Sequence, residues 1–284
     1  MSRIIRAMTQ DGSAVAEVVI STDMVNEAVR IHSPSATAAA ALGRVITATS
    51  LMGSRMKDKG DSLTVAFKGD GAAGTVLAVS DYFGNVKGYI ENPAADAPPK
   101  NNGKLDVSAV IGKGYLSVVR DIGIGEPQTG ISEIVSGEIA EDIASYYANS
   151  EQTPTVIILG VLVGPDLSVL ASGGVFVQLL PNFDEGILDV LERNAPRLAN
   201  ISNLIHGGVD EKGLLDIILA DIPYDVFDEI EVGYKCDCSR ERTARAVRSI
   251  GKEELSRIFS EQDKIEVCCR FCDKKYVFCE KDLK

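Results

Sequence analysis

The sequence predicts an α+β protein in three parts: a mixed sheet-and-helix N-terminal domain (residues 1–180), a helical linker (181–234) and a small cysteine-rich C-terminal domain (235–284). Three observations predict this division. Segments typical of strands and of helices are mixed throughout the first part. The second part has 12 acidic and only 3 basic side chains, and helix breakers interrupt it. All six cysteines lie in the third part.

The N-terminal domain is predicted to begin with a β-hairpin and two helices. Strands at 3–8 and 14–20 flank an Asp-Gly pair, which is typical of a tight hairpin turn. Helices are predicted at 24–31 and 35–56. Because the second helix has little polar surface, we expect it to be buried under a sheet.

The rest of the N-terminal domain is predicted to consist mainly of strands. Strand-type segments occur at 63–67, 75–79, 86–90, 115–119, 131–135, 155–163 and 169–180, and a helix is predicted at 137–147. Gly69, Gly71 and Gly74 match the spacing of a dinucleotide-binding loop. That loop must lead from a strand into a helix, whereas a strand follows here, so we interpret the glycines as a hairpin turn.

The linker contains two short amphipathic segments, near 187–191 and 214–219. Proline and glycine residues limit each helix to a length at which it is marginal unless it is packed on something. Two interpretations remain open. The segment is either an ordinary helical subdomain or a conditionally folded linker that is stable only while docked.

Composition and charge predict the compartment and limit the partners. The chain has 284 residues, 45% of them hydrophobic, and a net charge of −12. It begins without an apolar signal segment, and its longest uncharged apolar run, 156–163, is too short to span a bilayer. We therefore expect a cytoplasmic protein without a membrane partner. Residues 1–234 carry 16 basic and 31 acidic side chains, which disfavours a nucleic-acid partner.

The grouping of the cysteines indicates a metal site. Cys236 and Cys238 form a Cys-x-Cys pair, which 30 residues separate from the Cys-x-x-Cys pair of Cys269 and Cys272. Two such pairs supply the four soft ligands that a tetrahedral zinc ion prefers. In a chain without secretory features, paired cysteines favour metal binding or redox chemistry over structural disulfides. We therefore predict one zinc ion bound by these four thiolates.

Cys268 and Cys279 are surplus to a site with four ligands. Cys268 could replace Cys269, but the Cys-x-x-Cys spacing is the better attested one. Cys279 follows an aromatic, strand-like run and is typical of a strand residue. We expect both surplus cysteines to be small, half-buried apolar side chains.

The sequence contains no recognisable catalytic site. The histidines, His32 and His206, belong to no catalytic motif and are expected at the surface or at helix ends. There is no phosphate-binding loop, nucleophile elbow or metal-hydrolase helix. Four cysteine ligands would also leave no open position on a zinc ion for hydrolysis. We expect a protein that is not an enzyme.

The motifs resemble those of the heat shock protein 33 family, the redox-regulated holdase chaperones of bacteria. The resemblance rests on Cys236-x-Cys238-Ser-Arg-Glu-Arg242, Glu266-Val-x-Cys269-x-Phe271-Cys272, Tyr276-x-Phe278, Ala41-Leu-Gly-Arg44, Gly69-x-Gly-x-x-Gly74, Ser136-Gly-Glu138 and Ser150-Glu-Gln152. It covers essentially the whole chain, and the paired cysteine motif is its most specific part. The two surplus cysteines depart from the family pattern.

The resemblance implies an ATP-independent chaperone that oxidation switches on. In the reduced form the four cysteines would hold zinc and the chaperone would be inactive. Hypochlorous acid, or peroxide with heat, would release the zinc and form redox-active disulfides. Four cysteines allow three pairings, of which the resemblance favours Cys236 with Cys238 and Cys269 with Cys272. The opened protein, often a homodimer in this family, would hold unfolding client proteins.

Two other functional classes remain open. One is a zinc-ribbon protein associated with nucleic acid or tRNA, in which Arg240, Arg242, Arg245 and Arg248 would form a basic helix face. The acidic body and the lack of interleaved aromatic residues disfavour this class. The other is an interaction scaffold stabilised by zinc, which oxidation would inactivate rather than activate.

Overall fold

The chain folds into two compact units. The computed structural model describes residues 2–181 and 183–283, and the units are Met1–Tyr234 and Lys235–Lys284. No helix in the described part of the chain combines the length and the apolar character needed to cross a bilayer.

The elements confirm the mixed helix-and-sheet class predicted from the sequence. The strands of the larger unit are β1 (Ser2–Thr9), β2 (Ala14–Ile20), β3 (Ser62–Gly69), β4 (Thr75–Asp81), β5 (Val86–Ile90), β6 (Gly114–Asp121), β7 (Gln128–Glu133), β8 (Thr155–Val163), β9 (Val169–Leu179) and β10 (Tyr224–Val232). Its α-helices are α1 (Thr22–His32), α2 (Ala36–Gly53), α3 (Val107–Ile111), α4 (Ala140–Asn149), α5 (Gly186–Asn194), α6 (Ile201–His206) and α7 (Glu211–Ile218). The smaller unit contains α8 (Arg240–Arg248), α9 (Lys252–Glu261), β11 (Ile265–Cys268) and β12 (Lys275–Phe278). Short 3-10 helices form at Ala195–Leu198 and Glu280–Leu283.

Two antiparallel sheets make up the framework of the larger unit. Their strand orders are β10-β1-β2-β9-β8 and β5-β4-β3-β6-β7. The predicted first hairpin is present, with Ile4 paired to Val19 and Met8 paired to Val15. Most neighbouring strands also follow one another in sequence, so short turns build most of both sheets.

Helix α2 is the centre of the main core. Sixteen of its 18 residues are buried, and it packs against strands of both sheets. The close packing requires small residues: a Cβ atom at Gly43 would lie only 2.7 Å from Val25 Cγ1 and 3.0 Å from Val161 Cγ2. The expectation that this helix is buried under a sheet is confirmed.

A second apolar cluster occupies the opposite face of the first sheet. Successive strand residues point to opposite faces, so Ile4 joins the main core and Ile5 joins the second cluster. The two amphipathic segments of the predicted linker form α5 and α7, which bury Leu191 and Leu214 in this cluster. These helices are nine and eight residues long, so their stability depends on this packing.

One element of the predicted helical linker is instead a strand. Residues 224–232 form β10, which extends the first sheet by pairing with β1. The segment reads Tyr-Asp-Val-Phe-Asp-Glu-Ile-Glu-Val, which is rich in β-branched and aromatic residues. Its pairing partner lies more than 200 residues away in the sequence, so local helix signals alone could not reveal the ladder.

The glycine-rich segment between β3 and β4 is a turn, as predicted, and not a dinucleotide-binding loop. A Cβ atom at Gly69 would lie 1.8 Å from the carbonyl oxygen of Ile111. At Gly71 it would lie 2.3 Å from the carbonyl oxygen of Val110. The glycines are therefore required because the turn packs directly on the backbone of α3.

A buried carboxylate on β2 contacts basic side chains on β1 and in the loop after α2. Glu17 is completely buried, and its Oε1 atom accepts hydrogen bonds from Arg6 Nε at 3.0 Å and Arg55 Nη1 at 3.2 Å. Arg6 Nη1 also contacts Asp228 Oδ2 of β10 at 3.5 Å. Burial raises the pKa of Glu17, and the two guanidinium groups oppose that shift. Arg6 thus compensates the charge of the buried Glu17 and also links β1 to β10 through its ion pair with Asp228.

We predict that Arg6→Met destabilises the larger unit by roughly 2–3 kcal/mol, because a buried carboxylate loses one of its counter-charges. Urea unfolding of the full-length protein, followed by circular dichroism, measures the change.

Arg3→Met provides the matched control on the same strand. Arg3 is half exposed and pairs with Glu229 at 3.3 Å and with Glu211 at 3.5 Å, so solvent screens its charge and its loss should destabilise the unit less than the loss of Arg6 does. Equal losses in the two variants would contradict the special role of Arg6.

Candidate metal centre

The smaller unit brings the four predicted ligands together. Cys236 and Cys238 lie just before α8, whereas Cys269 and Cys272 lie in the turn between β11 and β12. One sulfur from each residue lies within 4.8 Å of the other three. The closest contacts join Cys236 to Cys269 at 3.7 Å and Cys238 to Cys272 at 3.4 Å. All four cysteines are free thiols.

A tight turn positions the Cys-x-x-Cys pair. The carbonyl oxygen of Cys269 accepts hydrogen bonds from the N–H of Cys272 at 3.3 Å and of Asp273 at 2.9 Å. Asp273 adopts a positive φ of 56°, and Cys269 N–H donates to the carbonyl of Lys274 at 3.0 Å. The chain therefore reverses directly after the second thiol and continues into β12.

The Cys-x-Cys pair is held by the start of α8. Ser239 is the N-cap of this helix, and its hydroxyl accepts a hydrogen bond from the N–H of Arg242 at 3.1 Å. The other end of the helix is fixed as well, since Arg248 donates to the carbonyls of Leu283 at 3.1 Å and Asp282 at 3.0 Å. The pair therefore precedes an anchored helix.

The donor set and its spacing fit a four-coordinate zinc ion. With zinc–sulfur bonds of about 2.3 Å, neighbouring sulfurs of a tetrahedral site lie roughly 3.8 Å apart. The distances of 3.7 and 3.4 Å are close to that value. Four thiolates are typical of a structural site in which no position is open to substrate.

The thiols differ in their tendency to ionise. Burial raises the pKa of the Cys236 thiol, and it raises that of the Cys272 thiol to about 11. Burial acts in the same direction at Cys238, but hydrogen bonds from the Tyr276 hydroxyl and the neighbouring thiols outweigh it and lower the pKa. Cys238 therefore ionises more readily than Cys236 and Cys272, from which metal binding must displace protons.

Comparison with known proteins places the chain in a family. The family model described as "Hsp33 protein" matches residues 2–279. The chain belongs to the Hsp33 family. It is 45% identical over 278 residues to the 33 kDa chaperonin of Clostridium acetobutylicum, covering 97% of this chain and 94% of that protein. It is 44% identical over 281 residues to the 33 kDa chaperonin of Clostridioides difficile, covering 99% and 96%.

A solved structure shares the fold over nearly the whole chain. The crystal structure of the 33 kDa chaperonin (heat shock protein 33 homolog) of Thermotoga maritima is similar with a TM-score of 0.90 and 34% identity, covering 99% of this chain and 96% of that one. Membership of the Hsp33 family supports a chaperone function for the chain, which is a non-enzymatic role.

Tyr276 is a residue of the Hsp33 motif whose contact with the site could not be read from the sequence. Its hydroxyl donates a hydrogen bond to Cys238 Sγ at 3.1 Å, while its ring is buried in the small core. The alternation of β12 indicates only that Tyr276 and Phe278 share a face. The packing of Cys238 against the small core that contains Tyr276 is what brings the hydroxyl to the sulfur.

The surplus cysteines lie outside the four-sulfur cluster. Cys268 ends β11 and is exposed, so the expectation that it is half-buried is wrong. Its strand partner is Lys275, at an edge of the small hairpin. Cys279 is half-buried, as expected, and its thiol lies 3.2 Å from Asp282 Oδ2.

The two histidines lie far from this chemistry in the sequence and end helices, as predicted. His32 is the last residue of α1, where its Nε2 atom lies 2.9 Å from the carbonyl oxygen of Gly88. His206 is the last residue of α6.

The core of the smaller unit is too small to explain its fold. Its buried apolar side chains are Ala244, Val247, Tyr276, Phe278 and Leu283. Domains of fewer than about 70 residues rarely obtain more than about 3–5 kcal/mol from a core alone and depend on disulfides or metals. The unit has free thiols and no disulfide, so a metal is the available cross-link.

We predict that Cys269→Ser lowers zinc affinity by about 100-fold, because a site worth about 10–16 kcal/mol shares its binding energy among four ligands. Zinc competition with a chromogenic chelator measures the affinity, and hydrogen exchange reports the loss of protection in residues 235–284.

The adjacent, exposed thiol offers the matched control. Cys268→Ser should leave zinc stoichiometry and affinity unchanged. If the two variants behave alike, the ligand assignment is wrong.

We predict that Tyr276→Phe weakens zinc binding by about tenfold, because outer-shell hydrogen bonds to metal ligands are typically worth 10–100-fold in affinity. The phenyl ring keeps the apolar packing, so amide spectra of the smaller unit should remain those of the folded form. An unchanged zinc affinity would show that the hydroxyl does not support Cys238.

Proposed function

We propose that the protein is a redox-regulated, ATP-independent holdase chaperone. The convergence of four cysteine sulfurs in a unit with a very small core is the observation that carries the proposal. The chaperone function of the family supplies its general class. Oxidation acts on the cysteines, and the fold supplies surfaces that unfolding client proteins can occupy.

In the reduced form, Cys236, Cys238, Cys269 and Cys272 hold one zinc ion. Bound zinc would cross-link two segments of the smaller unit and contribute on the order of 10–16 kcal/mol to its folding. The thiolates bind the metal, Tyr276 orients Cys238, and the anchored α8 and β12 fix the two pairs. The chaperone is inactive in this state.

Oxidation removes the ligands. Two thiolates lose two electrons as a disulfide forms, and hypochlorous acid takes up these electrons and one proton from the solvent to give chloride and water. With peroxide, a sulfenic acid forms first, and its attack by a second thiol expels water. We assign the disulfides, by family resemblance, to Cys236 with Cys238 and Cys269 with Cys272. A disulfide cannot bind zinc as two thiolates do, so the metal leaves and the smaller unit unfolds.

The linker, residues 181–234, is the element that opens next. Its helices are short, and they are stable through the second apolar cluster rather than on their own. Their acidic excess adds self-repulsion once they separate from the sheet. Opening would uncover Leu191, Leu214 and Leu215 together with the face of the first sheet that they bury. These apolar surfaces would bind client proteins.

The proposal includes a cytoplasmic location and a homodimer in the oxidised form. Free thiols persist in a reducing compartment, which suits a switch that must begin reduced. Nucleic acid and membranes are not among the proposed partners, and no catalytic activity is proposed.

The contacts of α8 weigh against the nucleic-acid alternative. Arg240 donates to the carbonyl of Val277 at 2.8 Å, pairs with Asp282 at 3.0 Å and lies over the ring of Phe278. Arg242 pairs with Asp237, and Arg248 binds two backbone carbonyls. Most of the basic helix face is therefore used within the unit.

We predict that hypochlorite treatment converts the protein from inactive to active in preventing the thermal aggregation of an unfolding client without ATP. Light scattering measures aggregation, and a chelating dye measures released zinc in the same samples. Protection should appear as zinc leaves and should reverse when a thiol reductant and zinc are added.

A variant without the four cysteines tests whether loss of the metal activates the chaperone when no oxidant is present. A variant with serine at all four cluster positions should suppress aggregation without oxidant, whereas Cys268→Ser should behave like the unchanged protein. Equal inactivity of the reduced, oxidised and four-serine forms would refute the holdase proposal and favour the scaffold.

A further inference from the structure

A cavity of about 450 Å³ in the larger unit lies at the edge of the main core, and Met52 and Tyr147 of that core contribute to its lining. It lies where the end of α2, the loop after it, the end of β6 and the loop after α4 meet. Its volume is within the range of sites for small molecules. The motif Ser150-Glu-Gln152, which the proposed switch does not use, contributes Glu151 to its lining.

Three cationic side chains line this cavity: Arg55, Lys57 and Arg120. They are among only 16 basic residues in residues 1–234, which carry 31 acidic ones. Lys57 is exposed and forms no ion pair with the residues that the structure describes. A concentration of positive charge in an otherwise acidic unit attracts anions to this place.

The two carboxylates of the cavity are already engaged by other groups. Glu151 accepts hydrogen bonds from Arg120 Nη1 at 3.0 Å and from the Tyr146 hydroxyl at 2.6 Å. Asp61 Oδ2 accepts the backbone N–H groups of Lys57 at 3.2 Å and Asp58 at 3.1 Å. Glu151 thus orients Arg120, and with three cationic side chains against two carboxylates the lining keeps one net positive charge.

The guanidinium groups retain donors for a ligand. Arg120 contacts Glu151, and Arg55 contacts the buried Glu17, each through Nη1. A guanidinium carries five N–H donors in a planar fork that matches phosphate and carboxylate oxygens. Because both side chains are fixed by a carboxylate, little rotamer freedom is lost when they bind an anion.

The remaining lining is partly apolar. Met52, Met56 and Ile122 form part of the wall, together with the ring of Tyr147. Burial raises the pKa of Tyr147, so its hydroxyl stays protonated at neutral pH. A ligand that fills this cavity therefore has an anionic head and an apolar body.

We propose that this cavity binds a small phosphate ester with an apolar body. A phosphate monoester carries nearly two negative charges at neutral pH and has three acceptor oxygens, which suits three cationic side chains. A carboxylate carries one charge, which a single guanidinium fork satisfies. All residues that line the cavity belong to the larger unit, and the proposal does not depend on the proposed holdase function.

The test uses the full-length, reduced, zinc-loaded protein and three probes at constant ionic strength: phenyl phosphate, benzoate and inorganic phosphate. Isothermal titration calorimetry measures their affinity. Phenyl phosphate should bind saturably at one equivalent. Benzoate, with the same ring and one charge, and inorganic phosphate, with no ring, should each bind at least about fivefold more weakly, corresponding to one exposed ion pair or about one buried methylene group.

Two lysines in one loop provide a matched pair of variants. Lys57→Gln should weaken phenyl phosphate binding by about two- to fivefold, and Lys59→Gln, which removes the same charge outside the cavity, should not. Arg120→Gln should weaken it by tenfold or more, because a charge-assisted hydrogen-bonding group is lost.

Three outcomes would overturn the proposal. These are the absence of saturable binding by phenyl phosphate, equal affinities for phenyl phosphate and benzoate, and equal losses in the two lysine variants. The last two would identify an adventitious ion only. If Arg120→Gln fails to fold, the lysine pair alone decides between these outcomes.

Discussion

The convergence of four cysteine sulfurs is the constraint on which the smaller unit depends. Two segments separated by 30 residues must meet at one point, which costs conformational entropy. Among the described residues of the unit, only five buried apolar side chains offset that cost. Around the sulfurs, short-range devices restrict the backbone: a capped helix on one side and a hairpin turn on the other. A metal held by these thiolates would stabilise the whole unit, and chemistry that removes the thiolates would destabilise the whole unit.

The larger unit distributes its stability unevenly. The main core surrounds a helix of 18 residues that packs on both sheets, whereas the second cluster is covered by helices of six to nine residues. Loss of these outer helices would expose one face of the first sheet, while the main core would stay intact. This asymmetry makes the proposed opening of the linker compatible with a client-binding domain that stays folded. Arg6 opposes that opening at β10, because it serves both the buried Glu17 and Asp228.

Most of the local structure could be predicted from the sequence. Alternation and turn residues located the strands of both sheets except β10, and the apolar composition of α2 indicated its burial. The paired cysteines indicated a metal site without any structure, since only a few spacings place four thiolates around one ion. The prediction was incomplete at β10, because the strand character of this segment becomes clear only when it pairs with β1. It was wrong at Cys268, because the exposure of this residue depends on which side of a two-stranded hairpin remains uncovered.

The sequence by itself determined most of the elements, the division of charge and the identity of the four candidate ligands, because these follow from periodicity and from residue chemistry over short separations. Only the tertiary structure decided which distant groups meet. The hydrogen bond from Tyr276 to Cys238, the pairing of Arg6 with Asp228 and the cavity shared by Lys57 and Arg120 all join segments that lie apart in the chain. Such contacts depend on strand register and on the packing of layers, and no local pattern of residues predicts either of them.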